Sequence, residues 1–300
     1  MNASAKYFDP ETLARIQPLG LRARSLVEGL IAGMHRSPLK GRSIEFAQHR
    51  EYTPGDDIRQ VDWKAYARSD KFFLKQFEDE TNLQCTLLLD VSESMAFRSP
   101  SSPLSKLEYA QLVAASLGYL ILTQQDAVGL ATFTDKIGSW LVPSASPSRF
   151  EDLLHVLDAQ PGPTRSNIAQ SINELAQRLV RPGLIVLISD LLGDVDATLA
   201  ALKLLKYQRH DVLVLHVLDP METEFKLDRA TRFVGLEGIT SVAADPRFIG
   251  AAYRRAMQEY LHRLRTGCEQ LTLDYQLLQT DGSLALALTY VLARRQRGRP

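Results

Sequence analysis

Two apolar runs that each end in an aspartate constrain most strongly how this chain can fold. Residues 86–89 lead into Asp90, and residues 184–189 lead into Asp190. Short apolar runs bounded by polar residues are typical of buried strands. Runs that are continuously apolar, instead of alternating, indicate a sheet that is covered on both faces. We therefore predict two central strands whose carboxyl ends carry Asp90 and Asp190.

Strand-like runs alternate with helical patterns along the middle of the chain. Further strands are predicted at residues 127–133 and 211–218, and helices at residues 105–123, 149–157 and 168–180. This alternation predicts crossover connections and a mostly parallel sheet. The expected fold class is α/β, with a doubly wound, Rossmann-like sheet. An N-terminal helix and strand extension and a C-terminal helical and strand addition complete it.

The length of 300 residues suits one large α/β domain with additions, or two modest domains. We predict an N-terminal extension over residues 1–80, packed on the core. The α/β domain covers residues 81–220. Residues 221–300 form a helix-rich addition to the same domain.

Composition places the chain among ordinary globular proteins. The formal net charge is zero, so there is no electrostatic reason to expect a nucleic-acid partner. No apolar stretch approaches the roughly 20 residues that a membrane-spanning helix needs. The first ten residues lack the apolar core of a signal peptide, and two distant cysteines form no disulfide framework. We expect a cytoplasmic protein without a membrane span.

Hydroxyl side chains gather where the first predicted strand ends. Ser92 and Ser94 follow Asp90 at alternate positions. A carboxylate and hydroxyls form a set of hard oxygen ligands, which suits Mg²⁺, Mn²⁺ or Ca²⁺. In the other interpretation, Asp90 and Asp190 only cap loops and the serines make local turn hydrogen bonds.

The loop that opens the predicted helix at residue 168 should reach the same edge of the sheet. We expect Ser92, Ser94 and one hydroxyl from Ser166 or Thr164 to bind the ion directly. Asp90 and Asp190 bind it directly or through water. With so few charged ligands the ion stays electrophilic, and an open position can accept a carboxylate from a partner.

Residues 50–68 form the most unusual polar stretch, in which charges of both signs are interleaved with large aromatic side chains. The stretch is either an ordered surface loop held by ion pairs or a docking surface, because Arg, Trp and Tyr are enriched at binding hot spots. The candidate partner-binding residues are Arg50, Tyr52, Asp56, Asp57, Arg59, Asp62 and Trp63.

The segment Asp90-x-Ser92-x-Ser94-Met95, with residues 166–168 and 188–190, resembles the metal-ion-dependent adhesion site of von Willebrand factor A domains. That site usually has a threonine two residues before the aliphatic residue that opens its helix. Here this position is Ser166, so Ser166 is the first candidate and Thr164 the reserve. Residues 33–41 and 50–63 resemble the signature of a bacterial family called domain of unknown function 58 (DUF58).

The family resemblance implies a partner class. Such proteins are commonly encoded beside MoxR-type AAA+ ATPases, which implies an adaptor or chaperone-like role in ATP-driven assembly or maturation of other proteins. The expected function is a divalent-metal-dependent protein-binding module. Its expected partners are a MoxR-type ATPase and an unidentified client protein.

Enzyme signatures are missing from the sequence. It has no Gly-x-x-x-x-Gly-Lys-Ser/Thr loop, no Gly-x-Gly-x-x-Gly after a strand and no Gly-x-Ser-x-Gly elbow. We predict no catalytic residues. The alternative is an Mg²⁺-dependent hydrolase or phosphatase that uses Asp90 as nucleophile. Such an enzyme would want a second carboxylate or a lysine in the same loop, where Ser92 and Ser94 stand instead.

Overall fold

A computed structural model describes a large share of the chain. The described residues are 18–35, 49–51, 73–75, 83–158, 166–225, 231–233, 242–244, 246–284 and 288–289. They belong to two compact units. One unit comprises residues 1–32 and 83–300, and the other comprises residues 33–82.

The elements alternate along the larger unit much as the sequence predicts. In chain order the strands are β1 (His49–Glu51), β2 (Phe73–Lys75), β3 (Gln84–Asp90), β4 (Ala127–Phe133), β5 (Ile137–Ser144), β6 (Leu184–Ser189), β7 (Asp211–Leu218), β8 (Thr231–Phe233), β9 (Val242–Ala244) and β10 (Asp274–Gln279). The α-helices are α1 (Leu19–His35), α2 (Lys106–Thr123), α3 (Arg149–Leu157), α4 (Ile168–Arg178), α5 (Val195–Tyr207), α6 (Pro220–Glu224) and α7 (Pro246–Gln270).

Six strands form the central sheet of the larger unit, in the order β10-β7-β6-β3-β4-β5. All neighbouring pairs are parallel except β4 and β5, which run antiparallel. The predicted mostly parallel α/β sheet is confirmed. Strands β1 and β2 pair with each other in the smaller unit, and β8 pairs with β9.

Apolar cores lie on both faces of the sheet, which explains why its strands are continuously apolar. Successive residues of β3 point to opposite faces: Leu87 and Leu89 join one core cluster, and Leu88 joins the other. The first cluster includes α2 and α3, and the second includes α4, α5 and α7. The predicted doubly wound arrangement, with helices on both faces, is confirmed.

Both ends of the larger unit contribute to these layers. From α1, Ala23 and Val27 are fully buried in the first core cluster. From the C-terminal part, β10 adds an edge strand parallel to β7, and Leu264 and Cys268 of α7 are buried in the second cluster. The predicted boundaries at residues 80 and 220 stay predictions. Among the helices that the structure describes, none has the length and apolarity required to span a bilayer.

Candidate metal-binding site

The carboxyl ends of β3 and β6 place Asp90 and Asp190 at one edge of the sheet. The parallel register pairs Leu89 with Ile188, so that the next residues, Asp90 and Ser189, lie level with each other. Asp190 then comes one residue beyond the end of β6. Both aspartates are fully buried. The prediction that they share this edge is confirmed, although Asp90 is level with a serine and not with Asp190.

Asp90 accepts hydrogen bonds from three neutral donors. Its Oδ1 accepts from the Ser92 backbone N–H at 2.9 Å. Its Oδ2 accepts from the Ser189 hydroxyl at 2.6 Å and from the Ser166 hydroxyl at 3.1 Å. Burial, followed by the nearby charge of Asp190, raises the pKa of Asp90 to about 6. The site therefore holds a buried carboxylate without a cationic partner among the described residues.

The loop after β3 folds back so that its two serines meet. A short 3₁₀ helix, Glu93–Ala96, follows Ser92 directly. The Ser92 and Ser94 Oγ atoms lie 3.2 Å apart, and both side chains are buried. Ser166 enters from the residues that open α4, where the Asn167 side chain caps the helix by accepting from the Gln170 N–H at 3.1 Å. Ser166 is only partly buried, so the site opens toward solvent on this side.

The structure thus brings together the predicted metal-binding residues Asp90, Ser92, Ser94 and Ser166, and Asp190 lies at the same edge, close enough for its charge to raise the pKa of Asp90. Thr164 lies outside the described residues. Of the predicted partner-binding residues, Arg50 lies in β1, and its side chain is outside the description. The others also lie outside the described residues: Tyr52, Asp56, Asp57, Arg59, Asp62 and Trp63.

Asp190 is paired with a lysine that sequence reasoning missed. The Lys106 Nζ donates to Asp190 Oδ2 at 2.8 Å and to Glu222 Oε1 at 2.7 Å. Burial would raise the pKa of Asp190, but the Lys106 ammonium outweighs it and holds that pKa below its ordinary value. For Glu222 burial prevails, and its pKa is raised. Asp190 is therefore already charge-compensated, in contrast to Asp90.

The turn after Asp190 is held in an unusual conformation. Leu191 has a φ of 53°, in the left-handed region that non-glycine residues rarely adopt. Its N–H donates to the Ser189 Oγ at 2.9 Å, and its carbonyl accepts from the Tyr260 hydroxyl. Ser189 thus links Asp90 to this turn.

A buried histidine supports the same turn from β7. The His216 Nε2 lies 2.8 Å from the Asp190 carbonyl oxygen, and its Nδ1 lies 2.7 Å from the Tyr275 hydroxyl. Because a carbonyl can only accept, Nε2 carries the proton and Nδ1 accepts from Tyr275. Burial lowers the pKa of His216 to about 4, so the ring is neutral at pH 7. Its role here is to hold the backbone of Asp190.

Two pairs of oxygen atoms around Asp90 have separations close to those between adjacent ligands of a small divalent cation. Mg²⁺ binds oxygens at about 2.0–2.1 Å in octahedral geometry, which places adjacent ligands about 2.9 Å apart. The Ser92–Ser94 Oγ separation is 3.2 Å, and Ser166 Oγ lies 3.1 Å from Asp90 Oδ2. Histidine, cysteine and carboxylate side chains form no metal-binding group of three or more in the described part of the chain. Any site built here therefore depends on hydroxyl oxygens.

A separate cavity lies at the opposite edge of the sheet and does not include these residues. Its volume is about 170 Å³. Its lining includes Gln84 and Thr86 at the start of β3, Leu184 at the start of β6, and Arg178 and His210. Because Asp90 is the last residue of β3, the cavity and the candidate site belong to different ends of the strands.

Comparison with known families agrees with the signature seen in the sequence. A family model described as "Protein of unknown function DUF58" matches residues 48–260, more than half of the chain. The chain belongs to the DUF58 family. The match includes β1, the candidate metal-binding residues and most of α7.

Two mycobacterial proteins are similar to this chain in sequence. The chain is 27% identical over 220 residues to uncharacterized protein Rv1480 of Mycobacterium tuberculosis, covering 72% of this chain and 68% of the relative. The same values hold for uncharacterized protein Mb1516 of Mycobacterium bovis.

Several solved structures resemble this DUF58 protein weakly. Conserved hypothetical protein BatB from Bacteroides thetaiotaomicron aligns with a TM-score of 0.47 and 15% identity, over 72% of this chain and 100% of that one. An aerotolerance-related membrane protein from Bacteroides fragilis aligns with a TM-score of 0.49 and 18% identity, over 71% and 99%. The SpRpn10 VWA domain aligns with a TM-score of 0.41 and 14% identity, over 69% and 93%.

Proposed function

We propose that this DUF58 protein is a protein-binding module that holds a divalent cation beside Asp90 and binds a carboxylate of a partner protein through it. The observation that carries the proposal is the buried Asp90 carboxylate, which meets only neutral donors among the described residues. A buried carboxylate is costly unless a cation or a proton compensates its charge. Mg²⁺ is the first candidate, and Mn²⁺ or Ca²⁺ are the others.

Four residues would hold the ion. Asp90 supplies the negative charge, and Ser92, Ser94 and Ser166 supply hydroxyl oxygens. Asp190 is paired with Lys106 and would therefore contact the ion through water. When bound, the ion supplies a positive charge that an anionic group from outside can reach.

The surroundings suit contact with another protein more than enclosure of a small substrate. Ser166 is partly exposed, and the neighbouring turn presents Leu192, whose side chain is 37% exposed. A partner protein can therefore bind with a carboxylate on the ion and with an apolar side chain against Leu192. Of the residues predicted from sequence as a second contact region, 52–63 lie outside the described part, and the whole region is included in the proposal on the sequence alone.

The partner that the family resemblance implies is a MoxR-type AAA+ ATPase, with an unidentified client protein. An acidic side chain on either one would provide the carboxylate. The rival function, an Mg²⁺-dependent hydrolase or phosphatase, would need an acid or base close to Asp90. The lysine at this site, Lys106, forms ion pairs with Asp190 and Glu222 instead. No contact in the described structure favours the rival.

Metal binding is tested first, by titration calorimetry with Mg²⁺ and Mn²⁺. We expect binding by the wild type and its loss in Asp90→Asn. Asp135→Asn is the matched control, because Asp135 is exposed just beyond the end of β4 at the same edge of the sheet. Equal binding by wild type and Asp90→Asn would contradict the proposal.

Partner binding is tested separately with a purified MoxR-type ATPase from the same organism. We expect the wild-type protein to bind the ATPase in Mg²⁺ and to release it in EDTA. The Asp90→Asn variant should bind the ATPase in neither condition. A screen of phosphoesters with Mg²⁺ distinguishes the rival: turnover that Asp90→Asn abolishes would favour an enzyme.

A further inference from the structure

Lys106 is a fully buried charge at the centre of the candidate site. It is the first residue of α2, and its side chain is 1% exposed. A positive charge at a helix amino terminus opposes the helix dipole, and a buried charge is retained only where it is paired. Neither its local structure nor its burial favours a lysine here, so its electrostatic contacts must explain it.

Those contacts are two carboxylates from different elements. Lys106 Nζ lies 2.8 Å from Asp190 Oδ2, which follows β6, and 2.7 Å from Glu222 Oε1 in α6. Glu222 is itself fixed, because its other oxygen accepts from the Asp219 N–H at 2.8 Å. The ammonium group is therefore held between two carboxylates, of which Glu222 is also fixed by a backbone hydrogen bond.

The charge around the site is unevenly distributed. Asp90, Asp190 and Glu222 contribute three carboxylates, and Lys106 contributes one ammonium, which leaves a formal charge of −2 with all groups ionised. The ammonium contacts Asp190 and Glu222, and it is not among the donors to Asp90. One negative charge thus remains on the group formed by Lys106, Asp190 and Glu222, and the other lies on Asp90, which Lys106 does not contact.

We infer that Lys106 is a positioning residue that withholds Asp190 from direct metal ligation, so that a divalent ion beside Asp90 keeps its capacity to bind an external carboxylate. The inference rests on the proposed function and explains what limits the number of carboxylate ligands at the same site. The number of charged ligands sets how tightly a hard cation is held. With Asp190 occupied by Lys106, one carboxylate ligates the ion instead of two.

The test replaces Lys106 and Glu222 together by neutral residues, which leaves the total charge unchanged. Lys106→Met/Glu222→Gln removes one charge of each sign, keeps side chains of similar length, and frees Asp190. We expect this double variant to bind Mn²⁺ more tightly than the wild type, on the order of tenfold, because a second carboxylate joins the ligands. Binding is measured with Mn²⁺ alone by electron paramagnetic resonance titration.

A matched control removes an ion pair elsewhere. The Lys206 Nζ and Asp211 Oδ1 atoms lie 3.5 Å apart at the surface, between α5 and β7. Lys206→Met/Asp211→Asn again removes one charge of each sign. We expect this control variant to bind Mn²⁺ with the wild-type affinity.

The outcomes separate the two proposals. If the wild type binds Mn²⁺ and the Lys106 variant binds equally or more weakly, Lys106 is only structural and the inference is overturned while the proposed function stands. If neither binds, both are overturned. Should the double variant not fold, the single variant Glu222→Gln replaces it in the test. In that variant Lys106 pairs with Asp190 alone, and we expect weaker Mn²⁺ binding than in the wild type. Equal or tighter binding by Glu222→Gln would overturn the inference.

Discussion

The Ser189 hydroxyl donates to Asp90 Oδ2 across a distance of 2.6 Å and so joins the ends of two neighbouring parallel strands. The Ser189 Oγ itself accepts from the Leu191 N–H at 2.9 Å. One hydroxyl therefore satisfies a buried carboxylate and a strained turn at once. Both aspartate-bearing loops depend on it for their relative positions.

Replacing Ser189 by alanine should destabilise the protein by about 1–3 kcal/mol, since the buried Leu191 N–H loses its acceptor and Asp90 Oδ2 loses one of its two donors. Urea denaturation measures the change in the free energy of unfolding. Ser116→Ala is the matched control, because Ser116 is also fully buried but its hydroxyl has no hydrogen-bond partner among the described groups. We expect the control to be close to neutral. Equal losses in the two variants would show that the Ser189–Asp90 bond contributes nothing of its own.

Part of this site could be predicted from the sequence because three of its residues are close to one another in the chain. Asp90, Ser92 and Ser94 form a local motif after an apolar run. The loop that carries Thr164 and Ser166 followed from topology, because α4 begins at the edge where β3 ends, and the family resemblance made Ser166 the first candidate. The structure brings all four together as the motif indicated.

Ser189 and Lys106 could not be found in the same way. Ser189 ends an apolar run and is not distinguished from it by any motif, and its importance depends on the register that places it level with Asp90. Lys106 is 84 residues away from Asp190 and meets it only after α2 has packed on the sheet. Its one local signal is a lysine at the start of a helix that is otherwise largely buried. Such long-range charge pairs leave no periodic trace in a sequence.

The raised pKa of Asp90 predicts how metal binding depends on pH. A divalent ion competes with a proton for this carboxylate, whose pKa is about 6. Mn²⁺ affinity should be nearly constant above pH 7 and fall by about tenfold per pH unit well below 6, as expected when one proton is displaced. Calorimetric titration between pH 5 and 8 measures this. An affinity that does not change over the range would rule out Asp90 as a ligand.

The same pKa predicts a stability difference in the absence of metal. The folded-state pKa of Asp90 lies above its unfolded value of 3.8, so the folded state holds the proton more tightly. Stability contributed by this group is therefore present at low pH and is lost as the pH rises through about 6.

Asp90→Asn should consequently be more stable than the wild type at pH 8 in EDTA, by roughly 1–3 kcal/mol, and gain less at pH 5. Urea denaturation of both proteins at the two pH values gives the comparison. Adding Mn²⁺ should stabilise the wild type alone. A variant that is less stable at pH 8 would show that the Asp90 charge is already compensated in the folded protein.

A capping box stabilises the start of α2, where Lys106 is the first residue. The Ser105 Oγ accepts from the Glu108 N–H at 3.2 Å, and Glu108 Oε2 accepts from the Ser105 N–H at 2.7 Å. Such a capping box satisfies two helix-end donors, so Ser105→Ala should cost about 1 kcal/mol. Ser148 is the matched control, because it stands at the N-cap of α3 without a capping hydrogen bond. Ser148→Ala should be nearly neutral in the same urea measurement, and a cost as large as that of Ser105→Ala would refute the assignment of the stabilisation to the capping box.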